Sequence, residues 1–144
     1  MTVEDLYAQL IDAWNRRDAE AFASLFTLDG ETVGFDGSEL FGQAAIRAEL
    51  SRVFADHTPN KYVYKIKKVE TVSVDVAIVG AHAGMRAEDQ GGFDPKLHAV
   101  HRLTAVHRGP EWRIVMFQTT PAQLHGRPDL VAALTAELES ASQS

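Results

Sequence analysis

The chain has 144 residues, of which 45% are hydrophobic and 24% charged, a balance typical of one globular domain with its own core. Its net charge of −6 argues against binding to nucleic acid or an anionic membrane, which both need a basic surface, and the absence of cysteine excludes disulfides and cysteine-ligated metals. No apolar run approaches the ~20 residues of a membrane span, and the N-terminal sequence MTVEDLYAQL is acidic where a signal peptide would be basic. We therefore expect a soluble, cytoplasmic protein with one domain over residues 1–144.

Two helices are predicted at the start of the chain. Thr2 can cap the first one in a loose form of the capping box with Asp5, and apolar residues then recur at helical spacing as far as Trp14. Asp18 is placed to cap a second helix over residues 19–26.

The next stretch predicts a short strand and a third helix. Leu28-Asp29-Gly30 is typical of a turn that ends the second helix. A strand over residues 31–35 follows, then a turn at Asp36-Gly37. Gly42 precedes a third helix over about residues 43–55, whose apolar residues share one face.

From residue 61 onward the alternation of side chains predicts β-strands. Tyr62, Tyr64 and Ile66 alternate with lysines, and the pattern slips at Lys67-Lys68, which indicates a bulge. The run VDVAIVGAHAGM is apolar on both faces, which is typical of a strand inside a sheet. Pro128 then begins a last helix, over about residues 128–140.

Residues 95–121 predict two long strands joined by a tight turn at residues 108–111. Because side chains switch faces at every residue of a strand, alternate residues share a face. One face is mostly apolar with a single histidine, and its members are Leu97, Ala99, His101, Leu103 and Ala105 in the first strand and Trp112, Ile114, Met116 and Gln118 in the second.

Four segments carry a resemblance to the nuclear transport factor 2-like superfamily. Residues 13–30, AWNRRDAEAFASLFTLDG, resemble its opening helix pair. Residues 37–46, GSELFGQAAI, resemble its entry to the third helix, and residues 111–121, EWRIVMFQTTP, resemble its closing strand. Residues 125–138, HGRPDLVAALTAEL, are similar to the C-terminal extension of its SnoaL-like SgcJ/EcaC subgroup. The resemblance implies an α+β fold shaped like a cone, with three N-terminal helices packed on a curved mixed or antiparallel β-sheet and a C-terminal helix.

What the resemblance implies about function is a pocket for a hydrophobic molecule. The superfamily includes ketosteroid isomerase, limonene-epoxide hydrolase, SnoaL-type polyketide cyclases and proteins that only bind ligands or other proteins. SgcJ-type members are associated with enediyne and other polyketide pathways. We therefore expect a polyketide or enediyne-type ligand, on which the protein carries out isomerisation, cyclisation or hydrolysis by acid–base catalysis. The alternative is a non-catalytic binding or accessory module, or a dimeric interaction module, in a biosynthetic pathway.

In such a fold the concave face of the sheet and the helices enclose the pocket. Small inward residues, Ala81, Ala83 and Ala99, would leave room for a ligand, or would instead admit close helix packing. A concave apolar site with a few polar groups is the usual form of a ligand site. The residues expected to bind the ligand are Trp14, Phe35, Tyr62, Tyr64, Trp112, Met116 and Gln118.

His101 is the best candidate for acid–base chemistry, because its ordinary pKa lies near physiological pH. The alternative is a core histidine that a tyrosine hydroxyl or Gln118 satisfies. Ketosteroid isomerase chemistry needs a buried carboxylate, and the inward strand positions contain neither Asp nor Glu. Asp36 is expected near the pocket mouth, where it and His101 could supply a SnoaL-like Asp and His pair.

We expect no metal and no cofactor. His98 and His101 are three residues apart on a strand and point to opposite faces, while His101 and His107 share a face about 20 Å apart. The histidines and acids therefore form no cluster with ligand spacing.

The outward face of the sheet predicts a protein contact. It is apolar, and a contiguous apolar patch usually marks an interface, so two such faces could pack as a two-fold homodimer. The residues assigned to this face are Val76, Ile78, His82, Val100, Val106, Val115 and Phe117.

Overall fold

The structure, a computed structural model, describes residues 1–86 and 92–143. In these residues the helices are α1 (Val3–Asn15), α2 (Ala19–Ser24), α3 (Gln43–Asp56) and α4 (Pro128–Ser142). The strands are β1 (Phe26–Val33), β2 (Glu39–Phe41), β3 (Tyr62–Ser73), β4 (Val76–Met85), β5 (Ala99–Arg108) and β6 (Glu111–Pro121). No helix among the described residues is both long enough and apolar enough to cross a membrane.

The helix starts are set by local hydrogen bonds, as the sequence predicts. At α1 the backbone N–H of Asp5 donates to the Thr2 hydroxyl, and the Thr2 N–H donates back to the Asp5 carboxylate, which completes the capping box. At α2 the N–H of Ala21 donates to the Asp18 carboxylate over 2.9 Å. Both predicted caps are confirmed.

The boundary between α2 and β1 differs from the prediction. The helix ends at Ser24, and the Ile114 N–H donates to the Leu25 carbonyl, which brings the chain into the sheet. Strand β1 therefore begins at Phe26 and contains the predicted turn at Leu28-Asp29-Gly30, where its pairing with β6 is irregular. Sheet pairing has overridden the helical pattern here, and it also forms β2, which the sequence did not predict.

The strands form one six-stranded sheet over the described residues, in the order β2-β1-β6-β5-β4-β3. Strands β1 and β6 pair in parallel and the other neighbours pair antiparallel, so the sheet is mixed. The predicted hairpin is confirmed from Ala99 onward, with Arg108 opposite Glu111 across a turn in which Gly109 has a φ of +66°. Its first strand does not begin at residue 95 as predicted, because Pro95–Leu97 form a short 3-10 helix. The helices pack on this sheet as the predicted α+β cone fold requires.

A bulge in β6 reverses the face of its second half. Thr104 pairs with Met116 and Ala105 pairs with Ile114, so Val115 is the extra residue. One extra residue moves every later side chain to the other face. Phe117 and Thr119 are therefore buried on the inner face.

The bulge makes two sets of predicted orientations wrong. Met116 and Gln118 lie on the outer face, where Gln118 is exposed, instead of facing inward. Phe117 faces inward instead of outward. The other predicted bulge, at Lys67, is confirmed, because Ile66 pairs with Ala81 and Lys68 with Gly80.

The two faces of the sheet carry different helices. Helices α1 to α3 pack on the inner face, where Ala81 and Leu103 belong to the main core. Helix α4 packs on the outer face, where Leu134 and Leu138 form a smaller cluster with Val63 and Val100.

Polar contacts also hold α4 on the outer face. The His98 Nε2–H donates to the Thr135 hydroxyl over 2.7 Å, and His82 Nδ1 lies 2.6 Å from the Glu137 carboxylate. Two of the seven residues of the predicted dimer face, His82 and Val100, are therefore covered by the chain's own helix.

Candidate functional site

A cavity of about 590 Å³ lies between the helices and the inner face of the sheet. Helix α1 contributes Ile11 and Trp14, and helices α2 and α3 add further apolar side chains. The sheet closes the cavity with side chains from β1, β3 and β6. The most buried apolar members of the wall are Ile11, Phe22, Ile46, Leu50 and Phe117.

Polar groups occur at two places in the cavity wall. On the sheet side, Thr32 and Thr119 are 9% and 8% exposed and are the buried polar residues of the lining. At the rim lie acidic side chains and one arginine, Arg52, which pairs with Glu49. The cavity is thus apolar along its walls, with hydroxyls on one side and charges only at its opening.

His101 lies directly behind this wall. Its cross-strand partner is Thr119, and its ring contacts those of Tyr62 and Phe117 at centroid distances of 5.0 and 4.8 Å. All three of these residues line the cavity, whereas His101 itself is fully buried.

A single polar contact holds the His101 ring, because Nδ1 lies 2.8 Å from the Tyr7 hydroxyl and Nε2 is buried without a partner. If the Tyr7 hydroxyl donates to Nδ1, only the Nε2–H is left without a partner. If Nδ1–H donated to the Tyr7 oxygen instead, both Nε2 and the hydroxyl hydrogen of Tyr7 would be left without one. We therefore assign the proton of the neutral ring to Nε2.

Burial determines the charge of this pair. It lowers the pKa of His101 to about 3, so the ring is neutral at physiological pH. Burial, together with the neighbouring Tyr62 and Tyr64, raises the pKa of Tyr7 well above its ordinary value, so its hydroxyl stays protonated. Burial also raises the pKa of Tyr62 to about 12.

Three of the predicted ligand-binding residues line the cavity. They are Trp14, Phe35 and Tyr62. Trp14 is held by a hydrogen bond from its indole N–H to the Asn60 carbonyl over 3.2 Å. Tyr62 is fixed at the start of β3 by Asn15, whose amide accepts from the Tyr62 N–H and donates to its carbonyl.

The other four predicted ligand-binding residues lie outside the cavity lining. Tyr64 packs edge-on against Tyr7, with the ring centroids 5.0 Å apart. Trp112 contacts His107 at 4.9 Å near the hairpin turn. Met116 and Gln118 lie on the outer face because of the bulge at Val115.

Asp36 and His101 do not form a pair. Asp36 lies at the rim and accepts from the Ser38 N–H over 2.9 Å, a hydrogen bond that lowers the pKa of its carboxyl. His101 is instead bonded to Tyr7. No Asp or Glu is buried in residues 1–86 and 92–143, so the described site holds no enclosed carboxylate base.

Two residues of the site, Tyr7 and Thr119, were missed at the level of sequence. Tyr7 shares the face of α1 with Leu10, Ile11 and Trp14, and helical spacing alone could have found it. Thr119 was assigned to the outer face because nothing in the local pattern marks the bulge. No group of three His, Asp or Glu side chains in the part of the chain that is described has the arrangement of a metal site.

Comparison with known proteins gives a family and a fold. Residues 3–122 match the SnoaL-like domain family. A search of proteins with curated functions finds no match.

Three solved structures illustrate the similarity of fold. A Nostoc punctiforme domain of unknown function with a cystatin-like fold has a TM-score of 0.78 at 20% identity, over 96% of this chain and 88% of its own. A Thiobacillus denitrificans protein described as an association domain of calcium/calmodulin-dependent protein kinase type II has a TM-score of 0.75 at 16% identity, over 85% and 96%. A ketosteroid isomerase-like protein from Erwinia carotovora atroseptica has a TM-score of 0.67 at 20% identity, over 83% and 92%.

Proposed function

Because the chain belongs to the SnoaL-like domain family, we propose that it binds a hydrophobic small molecule in the cavity between its helices and the inner face of its sheet. The observation that carries this proposal is the cavity itself. Its volume of about 590 Å³ and its apolar walls with two buried hydroxyls have the form of a ligand site.

The ligand we propose is a polyketide or enediyne-type intermediate. The similarity of residues 125–138 to the SgcJ/EcaC extension supports this class. Aromatic side chains at Trp14, Phe22 and Tyr62 give flat apolar surfaces that suit a fused-ring or polyene skeleton.

Binding is better supported than catalysis. His101 could act in acid–base chemistry only if the Tyr62 or Phe117 ring moved, because Nε2 is sealed from the cavity. A ring with a pKa of about 3 is also a weak base at physiological pH, so a role as hydrogen-bond donor suits it better. With Asp36 held at the rim, the non-catalytic binding or accessory role is favoured over isomerisation, cyclisation or hydrolysis.

Narrowing the cavity should weaken binding. Val53 lines the cavity from α3, so Val53→Trp should lower the affinity for Nile red, a neutral hydrophobic dye, at least about tenfold, because the larger ring occupies ligand space. The matched control is Val72→Trp, since Val72 is 56% exposed on β3, away from the cavity. Fluorescence titration measures both affinities, and thermal melting checks that each variant is folded.

Two results would contradict the proposed function. The first is the lack of saturable Nile red binding by the wild-type protein. The second is an unchanged affinity in a folded Val53→Trp variant, which would place the dye elsewhere on the molecule.

We also propose a homodimer through the part of the outer sheet face that α4 leaves uncovered. Val76, Ile78, Val106 and Val115 are only half-buried there. The similarity to a domain described as an association domain supports an assembling role for this fold.

A charge on this face should separate the dimer. Ile78→Asp would bury a charged carboxylate in the interface in place of an apolar side chain, so we expect monomers where the wild-type protein forms dimers. The control is Val74→Asp at a position 87% exposed in the β3–β4 turn. Light scattering gives the mass of each, and equal masses for the wild type and Ile78→Asp would refute this interface.

A further inference from the structure

The buried hydroxyls of the cavity point to a more specific ligand. Resting on the proposed function, we infer that Thr32 and Thr119 determine specificity by binding an oxygen of a neutral, otherwise apolar ligand. A ketone, a lactone carbonyl or a hydroxyl would supply that oxygen.

The two threonines belong to one polar row across the inner face of the sheet. Thr32 on β1 lies beside Phe117 on β6, and Thr119 follows two residues later on the same face. Directly opposite Thr119 on β5 is His101. Three adjacent strands thus place polar side chains in a row on a face that is otherwise apolar.

Neither cavity hydroxyl is satisfied by the protein. Among the described residues, no side-chain hydrogen bond involves Thr32 or Thr119, although both are more than nine-tenths buried. Neither hydroxyl oxygen is completely enclosed by the protein, so both remain open to whatever fills the cavity. Two threonines outside the cavity lining do find partners: Thr27 donates to Asp29 over 3.0 Å, and Thr135 donates to the Val131 carbonyl.

The two free hydroxyls both line the cavity, so its contents are their available partners. A hydroxyl both donates and accepts, and it therefore suits a carbonyl oxygen as well as a hydroxyl. The ligand class follows from this pairing of apolar walls with two neutral hydrogen-bonding groups.

The charges around the cavity favour a neutral ligand over an anion. Asp36 and Glu39 at the rim form no ion pair with other described residues, and the one arginine there, Arg52, is already paired with Glu49 and Asp56. Behind the threonine wall, His101 is neutral. An anionic ligand would meet like charge at the opening and no positive charge inside.

The test uses three ligands that differ only in one group: 2-acetylnaphthalene, 2-isopropenylnaphthalene and 2-naphthoate. Their affinities are measured by displacement of Nile red from the wild type, Thr119→Val, Thr32→Val and Thr27→Val. Valine keeps the shape of threonine and removes the hydroxyl, and Thr27 is the matched control because it is equally buried but bonded to Asp29.

We expect the wild type to bind the ketone at least about threefold more tightly than the alkene, with the carboxylate weakest. Thr119→Val or Thr32→Val should lower the affinity for the ketone about three- to tenfold, which is the range of one hydrogen bond. The affinity for the alkene should not change. Thr27→Val should alter neither.

The outcomes separate this inference from the proposed function. If ketone and alkene displace the dye equally in the wild type and in the cavity variants, the threonines do not select an oxygen, although the cavity binds hydrophobic molecules. If none of the three ligands displaces the dye and Nile red itself does not bind, both the inference and the proposed function are wrong.

Discussion

Between pH 7 and pH 5, the protein should lose on the order of 2 kcal/mol of folding free energy through His101 alone. Burial lowers the pKa of His101 from 6.5 to about 3, so over this interval the unfolded chain takes up a proton that the folded chain does not. Stability is then fully present above pH 6.5 and falls as the pH decreases towards 3, by about 1.4 kcal/mol for each pH unit.

Urea denaturation at the two pH values measures this loss. The variant His101→Leu removes the titrating group at similar size, so its stability should fall by about 2 kcal/mol less than that of the wild type. Carboxyl groups whose pKa is lowered, such as Asp36 and Glu137, titrate below this interval and do not mask the effect. Burial also lowers the pKa of His98, but its effect on stability is the same in the wild type and in His101→Leu.

A direct measurement covers the case in which His101→Leu does not fold. In the wild type, the NMR signal of the His101 ring should not titrate between pH 7 and pH 5. An apparent pKa near 6.5 for this ring, or an equal loss of stability in both proteins, would show that His101 is hydrated in the folded state.

Tyr7→Phe should destabilise the protein at pH 7 by about 1 to 3 kcal/mol. The Tyr7 hydroxyl is the partner of His101 Nδ1, and Nε2 already has none, so its removal leaves both ring nitrogens buried and unsatisfied. The matched control is Tyr64→Phe, because the Tyr64 hydroxyl makes no hydrogen bond among the described residues. Its effect should stay within about 0.5 kcal/mol.

A double-mutant cycle distinguishes a lost hydrogen bond from lost packing. Replacing both partners, in Tyr7→Phe with His101→Leu, removes the unsatisfied groups together and should cost less than the sum of the single changes. Strict additivity would mean that the hydroxyl and the ring do not interact. In that case the assignment of the Nε2–H form to His101 would also fail.

These two predictions bear on function because they treat His101 as part of the wall that shapes the cavity. The hydrogen bond to Tyr7 fixes the ring, and the ring supports Tyr62 and Phe117, which line the cavity. Loss of ligand affinity in a His101 variant therefore needs to be compared with its loss of stability before a chemical role is assigned.

The sequence by itself determined the local features of the fold. The caps at Thr2 and Asp18, the turn at Gly109 and the last helix from Pro128 each depend on a few neighbouring residues. Strand alternation likewise put His101 and Ala81 on the inner face, and helical spacing put Trp14 on the buried side of α1. The periodicity of side chains and the capping of helices depend only on residues that are close in the sequence, so both can be recognised without knowing the tertiary structure.

Only the tertiary structure decided which of these residues form the site. The bulge at Val115 lies in a strand that pairs with β5 on one side and with β1 on the other, and it turned Phe117 and Thr119 inward in place of Met116 and Gln118. Tyr7 and His101 are 94 residues apart in the chain, and no local pattern links them. Contacts between distant segments depend on how helices and strands pack together, and this packing replaced the expected Asp36–His101 pair with a neutral His101 behind a hydroxyl-lined wall.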